Sequence, residues 1–239
     1  MQIEKHIEII DLALLLYNNV LVIADTHIGY EEALNKQGLL VPRFQFREII
    51  RRLDGIFAIL EKRKIILEKI IINGDIKHEF GTISETEWRQ TLQLLDYLGK
   101  HAPAIVLIKG NHDTILGPIA KKRNVEIKKY ERVADILIAH GDDEKIPLQN
   151  VKTIIIGHEH PAITLTQSGR MESYKGFLMG TYKKKVLVVQ PSFNLVVEGT
   201  NILKEELLSP FLKDGIKKFR VIVVEDKPYD FGLVKGLLR

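Results

Sequence analysis

Five short apolar segments of the sequence are each followed closely by side chains that can bind a metal ion. One such motif alone is more often a capped turn, but five in succession are hard to attribute to chance. Five of the eight histidines of the chain lie in these motifs. If the segments are neighbouring strands, their carboxyl ends meet where open α/β sheets place functional sites. The segments and motifs are Val20–Ala24 with Asp25-Thr26-His27, residues 70–72 with Asn73-Gly74-Asp75, Ala104–Ile108 with Gly110-Asn111-His112-Asp113, Ile136–Ala139 with His140-Gly141-Asp142, and Thr153–Ile156 with Gly157-His158-Glu159-His160.

Two long helices are predicted in the first half of the chain. Residues 42–63 repeat apolar side chains at three- and four-residue steps, which is typical of an amphipathic helix. Pro42 suits the first turn of that helix, where a missing N–H costs little. Ser84 and Glu87 have the spacing of a capping box, so a second helix should begin there.

Strands should form most of the rest. Residues 12–16 and Val20–Ala24 flank a polar turn and predict a hairpin, whereas residues 186–189 and 221–224 predict later strands. This order favours a layered α/β fold with a mixed sheet or two packed sheets. Because no repeat or Pro/Gly/Ser-rich linker interrupts the chain, we expect one domain over residues 1–239.

The composition restricts the metal ligands, partners and location that can be expected. The chain contains no cysteine, so any metal must be held by oxygen and imidazole nitrogen. The net charge of +4 permits a polyanionic partner without demanding one. The sequence lacks both a secretory signal and an apolar run long enough to span a membrane, so a cytoplasmic protein without a membrane partner is expected. Abundant Lys, Glu and Ile favour a thermophilic source.

The spacing within the motifs suggests two ions. In extended chain, residues i and i+2 point the same way, so Asp25 and His27 should reach one ion, while His158 and His160 should straddle two. Seven ligands are too many for one tetrahedral ion, but a bridging Asp75 would let them serve two ions about 3.5–4 Å apart. The seven candidate ligands are Asp25, His27, Asp75, Asn111, His140, His158 and His160.

These five motifs together resemble the complete signature of the calcineurin-like metallophosphoesterases. Residues 25–31 (DTHIGYE), 74–79 (GDIKHE) and 191–194 (PSFN) are similar to archaeal SbcD-related phosphoesterases and to DNA-ligase-associated phosphoesterases. The resemblance covers the chain from the first hairpin to about Gly199. It implies a four-layer α/β/β/α sandwich with two mixed β-sheets and a dinuclear centre at the strand ends.

The resemblance also assigns the metal ligands. It implies that the first ion is held by Asp25, His27 and His160, and that Asp75 bridges. The second ion would be held by Asn111, His140 and His158. Two divalent ions per chain are therefore expected; Mn²⁺, Fe²⁺ and Zn²⁺ all suit the donors, and the resemblance favours Mn²⁺.

Three residues beside the ligands have roles that are considered separately. The resemblance makes His112 the catalytic histidine, which contacts the phosphate and assists the leaving oxygen. Asp113 either orients the His112 imidazole or caps a helix over residues 114–121. Glu159 points away from the ions in extended chain and is left out of the ligand set.

Four further residues are candidates for substrate binding. Lys77 and His78 follow the bridging aspartate and either meet phosphate oxygens or are solvated loop residues. Tyr30 and Arg43 flank a polar loop above the expected site, where Tyr30 could stack a base and Arg43 could clamp a phosphate. The alternative is that both simply cover the surface.

These features predict a dinuclear metal-dependent phosphoesterase that hydrolyses phosphodiesters. We expect cleavage of single-stranded DNA or RNA by in-line attack of a metal-bridging hydroxide, with His112 assisting the leaving group. The roughly forty residues after Gly199 are too few for the capping domain of SbcD-type nucleases, which argues against processive exonuclease action. One alternative is a nucleotide phosphodiesterase or phosphatase, and another is a non-catalytic scaffold. A nucleic acid or nucleotide is the expected substrate, with a DNA-repair protein as a further partner.

Overall fold

The computed structural model describes residues 1–79, 83–167 and 170–238. Its helices are α1 (Tyr30–Lys36), α2 (Gln45–Lys62), α3 (Glu85–Leu98), α4 (Gly117–Arg123) and α5 (Val234–Leu237), with a 3₁₀ turn at Pro210–Leu212. Its strands are β1 (Gln2–Glu4), β2 (Ile7–Ile10), β3 (Ala13–Leu16), β4 (Val20–Ala24), β5 (Lys69–Asn73), β6 (Ala104–Ile108), β7 (Glu126–Lys128), β8 (Tyr130–Val133), β9 (Ile136–Ala139), β10 (Thr153–Ile156), β11 (Pro161–Gln167), β12 (Arg170–Tyr182), β13 (Lys185–Val189), β14 (Thr200–Asn201), β15 (Arg220–Val224) and β16 (Pro228–Leu233).

The strands form two mixed sheets. In the first, β1 to β7 lie in sequence order; β1–β4 are antiparallel neighbours and β4–β7 are parallel. In the second, the order is β14-β11-β12-β13-β10-β9-β8, and β15 and β16 extend from β12. Strands β9, β10 and β13 are parallel in that sheet. The parallel strands therefore bring all five predicted motifs to strand ends.

The two sheets pack face to face, as alternation along the strands shows. Ile155 and Val188 lie in the core cluster that contains the first sheet, whereas Ile154, Ile156 and Leu187 lie in a second cluster. Since successive side chains on a strand point to opposite faces, the second sheet buries both of its faces. This arrangement confirms the predicted sandwich with two mixed sheets.

The outer layers differ in content. Helices α2 and α3 bury their apolar sides with the first sheet, through residues such as Ile49 and Leu94. Outside the second sheet, the covering residues come from the 3₁₀ turn and short α5, including Phe211 and Val234. Among the described residues, no helix is long and apolar enough to cross a membrane.

Three local predictions need correction. Helix α2 begins at Gln45 rather than Pro42, because Oε1 of Glu31 accepts hydrogen bonds from the amides of Phe44 and Gln45. The polar loop expected between Tyr30 and Arg43 begins only after Lys36, because Tyr30–Lys36 form helix α1. Helix α4 begins at Gly117, so Asp113 does not cap it. The capping box of Ser84 and Glu87 is confirmed at the start of α3.

Candidate metal centre

The structure collects three predicted ligands into a first cluster. Asp25, His27 and His160 each place a donor atom within 4.8 Å of the others. Nε2 of His27 lies 3.4 Å from Nε2 of His160, which lies 3.5 Å from Oδ2 of Asp25. Asp25 and His27 come from the end of β4, and His160 follows β10. Each sheet therefore contributes to this cluster.

A second cluster lies beside the first. Asp75, His140 and His158 meet the same distance criterion, and Nδ1 of His158 lies 3.2 Å from Nε2 of His140. Oδ1 of Asn111 lies 2.9 Å from the same Nε2 atom. Oδ2 of Asp75 lies 3.4 Å from His140 Nε2 and 3.8 Å from His27 Nε2. Asp75 thus stands between the two clusters, as a bridging ligand requires.

The ligand loops are not extended, contrary to the local conformation that the sequence predicted. Five of the candidate ligands have a positive φ, which is left-handed backbone. Such left-handed conformations cost about 1–3 kcal/mol each at non-glycine residues, and they cluster at functional sites. Strand periodicity therefore does not explain how these side chains reach the site. The ligands with positive φ are Asp25 (51°), His27 (43°), Asp75 (32°), His158 (63°) and His160 (49°).

Backbone pairing holds two of these loops side by side. The amide of His27 donates to the carbonyl of Asp75 at 2.9 Å, and the amide of Ile28 donates to the carbonyl of Ile76 at 2.9 Å. Glycine is needed at two places where the loops pass ligand side chains. A Cβ on Gly74 would collide with the His140 ring, and one on Gly110 would collide with the Asp75 carboxylate.

Electrostatics favour a buried cation at this site. Burial alone would raise the pKa of Asp25, but His160 and His140 outweigh burial and hold that pKa well below its usual value. Burial would lower the pKa of His140, but hydrogen bonds to Asp25 and Asp75 raise it well above its usual value. Burial, aided by His160, lowers the pKa of His27 to about 3. Two ionised carboxylates therefore need positive charge, and His27 is a neutral ligand.

The donor set fits two divalent ions. Imidazole nitrogens 3.2–3.4 Å apart repel unless a proton or a cation lies between them, and both clusters contain such a pair. Oxygen and imidazole donors together suit Mn²⁺, Fe²⁺ or Zn²⁺ better than Mg²⁺. Asp25, His27 and His160 would hold one ion, Asn111, His140 and His158 the other, and Asp75 both.

His112 lies at the edge of the centre. Its backbone amide donates to Oδ1 of Asp75 at 2.8 Å, and its Nε2 lies 3.9 Å from Oδ2 of that residue. Its Nδ1 lies 2.5 Å from the carbonyl oxygen of His78. That carbonyl orients the ring, so that Nε2 faces the ligands.

Asp113 has a different environment from either one predicted. Its Oδ2 accepts hydrogen bonds from the amides of Gly110 and Ile76, at 3.1 and 3.4 Å. Burial and the nearby Asp75 raise its pKa to about 7. Asp113 therefore ties the loop that carries Asn111 to the loop that carries Asp75.

Lys77 is not a solvated loop residue. Its side chain is completely buried, and its ammonium group donates to the backbone carbonyls of Glu79 and His112, the latter at 2.7 Å. Those carbonyls, rather than substrate, are the acceptors that the structure gives it.

The other three candidate substrate contacts are placed differently from one another. His78 lies inside the site, with Nδ1 3.5 Å from Nδ1 of His27, and burial lowers its pKa to about 4. The ring of Tyr30 lies 4.4 Å from that of His78. Arg43 is exposed in the segment before α2 and forms no ion pair with a described residue.

A supporting network was missed by the sequence analysis. The buried carboxamide of Gln45 donates to the carbonyls of Thr26 and His27, at 3.1 and 2.9 Å, and to Oδ1 of Asn194 at 3.1 Å. These bonds fix the loop that carries Asp25 and His27. The PSFN motif was the available signal, since Asn194 belongs to it, but nothing marked Gln45.

Glu159, which the sequence analysis left out of the ligand set, supports the second sheet. Its Oε2 accepts hydrogen bonds from the amides of Leu208 and Ser209, at 2.9 and 2.8 Å. Ser209 in turn donates through Oγ to the carbonyl of Gly141 at 2.7 Å. The segment around Ser209 thereby holds the loop beside His140.

Several groups of basic residues on the surface contain ion pairs. Arg51 pairs with Glu48, and Arg52 pairs with Asp11. The basic clusters over residues 121–123, 128–129 and 183–185 each contain at least one cation paired with an acidic side chain. These ion pairs reduce the positive charge that the groups offer to a polyanion.

Comparison with known proteins agrees with this geometry. The family model for calcineurin-like phosphoesterases matches residues 19–199. Nuclease MPE of Pseudomonas putida matches with a TM-score of 0.65 and 19% identity over 92% of each chain. AQ665 of Aquifex aeolicus, a protein of unknown function, has a TM-score of 0.37 and 17% identity over 63% of this chain and 81% of that chain. Zinc-bound Vps29 of Entamoeba histolytica has a TM-score of 0.34 and 17% identity over 91% and 93%.

Of these three TM-scores, only that of nuclease MPE is high enough to bear on the fold. No curated protein matches the sequence. The family match spans most of the chain and includes all seven candidate ligands. The chain therefore belongs to the calcineurin-like phosphoesterase family and is a metal-dependent phosphoesterase.

Proposed function

We propose that the protein is a phosphodiesterase that cleaves single-stranded DNA or RNA. The observation that carries this proposal is the complete pair of ligand clusters with His112 beside their shared carboxylate. The structural likeness to a nuclease from Pseudomonas putida supports nucleic acid as the substrate.

The residues of the site have separate roles in this reaction. Two divalent ions, when bound, supply Lewis acidity and lower the pKa of a water nucleophile. His112 exchanges a proton with the leaving oxygen through Nε2, since Nδ1 is engaged by the carbonyl of His78. Asp75 positions His112 through the backbone amide of that residue. In this proposal Tyr30, whose ring neighbours that of His78, stacks a base, and exposed Arg43 contacts a phosphate.

Single strands are favoured because the ligands are recessed. Most of the candidate ligands are buried, so a phosphate must bend down to reach them. A flexible strand does this at lower cost than a stiff duplex. The paired basic clusters predict weak binding, with a salt dependence equivalent to about two to four released counterions.

The direct test measures Mn²⁺-dependent cleavage of labelled single-stranded DNA and RNA. Bis-p-nitrophenyl phosphate and a panel of nucleotides are assayed in parallel, with His6→Asn as the control for His112→Asn. Cleavage of the strands, lost in the His112 variant and kept in the control, supports the proposal. Uncut strands with rapid turnover of one nucleotide would favour a small-molecule enzyme.

A further inference from the structure

A cavity of about 590 Å³ opens beside the second ligand cluster. Its walls come from the segment after β6, from β7 and from the loop after β9, so it lies between the two sheets. The candidate ligands Asn111 and His140 line it, together with Lys109, Lys128 and Lys129. Its volume is within the range of about 300–1,000 Å³ found for small-molecule sites.

The apolar part of this cavity suits a flat ring. Ile127 on β7 and Ile146 in the loop after β9 both line it, and both are half-buried. Ile127 packs on the core of the first sheet and Ile146 on the second core cluster, so the cores hold the two side chains in place. Apolar side chains fixed in this way bind the faces of a nucleobase.

Two of the three lysines that line the cavity form ion pairs with acidic side chains. Lys129 pairs with Asp143 at 3.0 Å, and Lys128 pairs with Glu131 at 2.7 Å. Lys109 is exposed and forms no ion pair with any described residue. Asp142 also lines the cavity, but no ion pair joins it to Lys109. Lys109 is thus the cation left for a ligand.

We propose that this cavity binds the nucleoside adjoining the scissile phosphate, with its base against Ile127 and Ile146 and its next phosphate on Lys109. The inference rests on the proposed function, which places the scissile phosphate at the metal clusters. Asn111 and His140 belong both to the second cluster and to the cavity wall, so a strand leaving that cluster enters the cavity directly.

The test compares three probes by calorimetry on Mn²⁺-loaded protein: inorganic phosphate, thymidine 5′-monophosphate and 5′-phosphorylated thymidine dinucleotide. The mononucleotide should bind about tenfold more tightly than phosphate, because tenfold is about 1.4 kcal/mol, which burial of about 60 Å² of apolar surface against the two isoleucines supplies. Ile146→Asn should reduce that ratio by about fivefold or more. Lys109→Glu should weaken dinucleotide binding by about fivefold, the scale of an exposed charge pair.

Matched controls separate these effects from general damage. Ile66→Asn replaces an exposed isoleucine, and Lys100→Glu replaces an exposed lysine, both outside the cavity lining. The proposal is wrong if the wild type binds the mononucleotide no better than phosphate, or if the cavity variants match their controls. Because Lys109 is exposed, its variant carries the test even if Ile146→Asn unfolds.

Hydrolysis distinguishes this proposal from the proposed function. In Ile146→Asn, the kcat/KM for thymidine 5′-(p-nitrophenyl phosphate) should fall relative to that for bis-p-nitrophenyl phosphate. Lys109→Glu should leave this ratio unchanged, because the ester carries no second phosphate. Diester cleavage with an unchanged ratio in Ile146→Asn and unchanged binding would refute the cavity alone. If no diester is cleaved, the proposed function fails, and the binding data still decide whether the cavity accepts a nucleoside.

Discussion

The two sheets build unlike halves of the metal centre. The first sheet supplies both carboxylates, Asp25 and Asp75, whereas the three strand-end donors of the second sheet are all imidazoles: His140, His158 and His160. Hydrogen bonds join the halves, since the amide of His158 donates to Oδ2 of Asp25 at 2.9 Å. The carboxylates of one sheet and the imidazoles of the other therefore meet only when the sheets pack together.

The halves are also supported differently. Asp113 joins two ligand loops that belong to the first sheet itself. Glu159 instead joins its ligand loop to Leu208 and Ser209, about fifty residues further along the chain. Those two residues lie beyond residues 19–199, which the family model matches. The second half thus depends on a segment outside the matched residues.

The largest effect should follow from removing the carboxylate that lies between the two ligand clusters. Asp75→Asn takes away a carboxylate placed between the clusters, so both ions should bind more weakly. Turnover should fall by more than about 10⁴-fold, beyond the loss of a general acid alone. Elemental analysis and steady-state assays check this, with exposed Asp96→Asn as the control. Loss of one ion with the other held normally would show that Asp75 serves a single cluster.

Replacing His112 should separate catalysis from metal binding. His112→Asn should lower turnover by about 10²–10⁴-fold, with metal content and melting temperature nearly unchanged. The loss should be smaller for p-nitrophenyl esters, whose leaving group needs little protonation. Equal losses for good and poor leaving groups would make His112 a phosphate-binding residue instead.

A smaller effect is expected from a change that acts only on the support of the second sheet's ligands. Ser209→Ala removes the hydroxyl that donates to the carbonyl of Gly141 and should weaken the ion at His140 and His158 by about 10-fold or more. The ion at Asp25 and His27 should be held as before. Sequential metal titrations compare this variant with Ser173→Ala, an exposed control. Equal weakening of both ions would contradict separate support of the halves.

The smallest effect concerns Lys175, a buried residue of β12 that ties the second sheet to the PSFN segment. Its ammonium donates to Ser192 Oγ and to the carbonyls of Val197 and Glu198, at 2.7–2.9 Å. Burial lowers its pKa to about 7. The unfolded chain therefore binds more protons at this residue between pH 7 and about 10, so this residue makes stability rise with pH there.

Lys175→Met should flatten that rise by up to about 1.4 kcal/mol per pH unit in the free energy of unfolding. Urea denaturation of both proteins from pH 7 to 10 measures the difference, with exposed Lys184→Met as the control. Parallel pH dependence in wild type and variant would place the pKa of Lys175 near its ordinary value.

Patterns local in sequence predicted a large part of this molecule. The five strands, the helix that begins after Ser84 and the seven ligand positions follow from hydrophobic runs and from the residue types at their ends. The left-handed loops and the burial of Lys77 do not, because they depend on contacts between distant loops. Gln45 is the sharpest example, since its partners Thr26 and Asn194 are 19 and 149 residues away in sequence.

The central claim is that two sheets together hold two metal ions. Anomalous diffraction from crystals of Mn²⁺-loaded protein tests it most directly. We predict two peaks about 3.5–4 Å apart, one at Asp25, His27 and His160 and the other at Asn111, His140 and His158, with Asp75 touching both. A single peak, or peaks away from these seven residues, would contradict it.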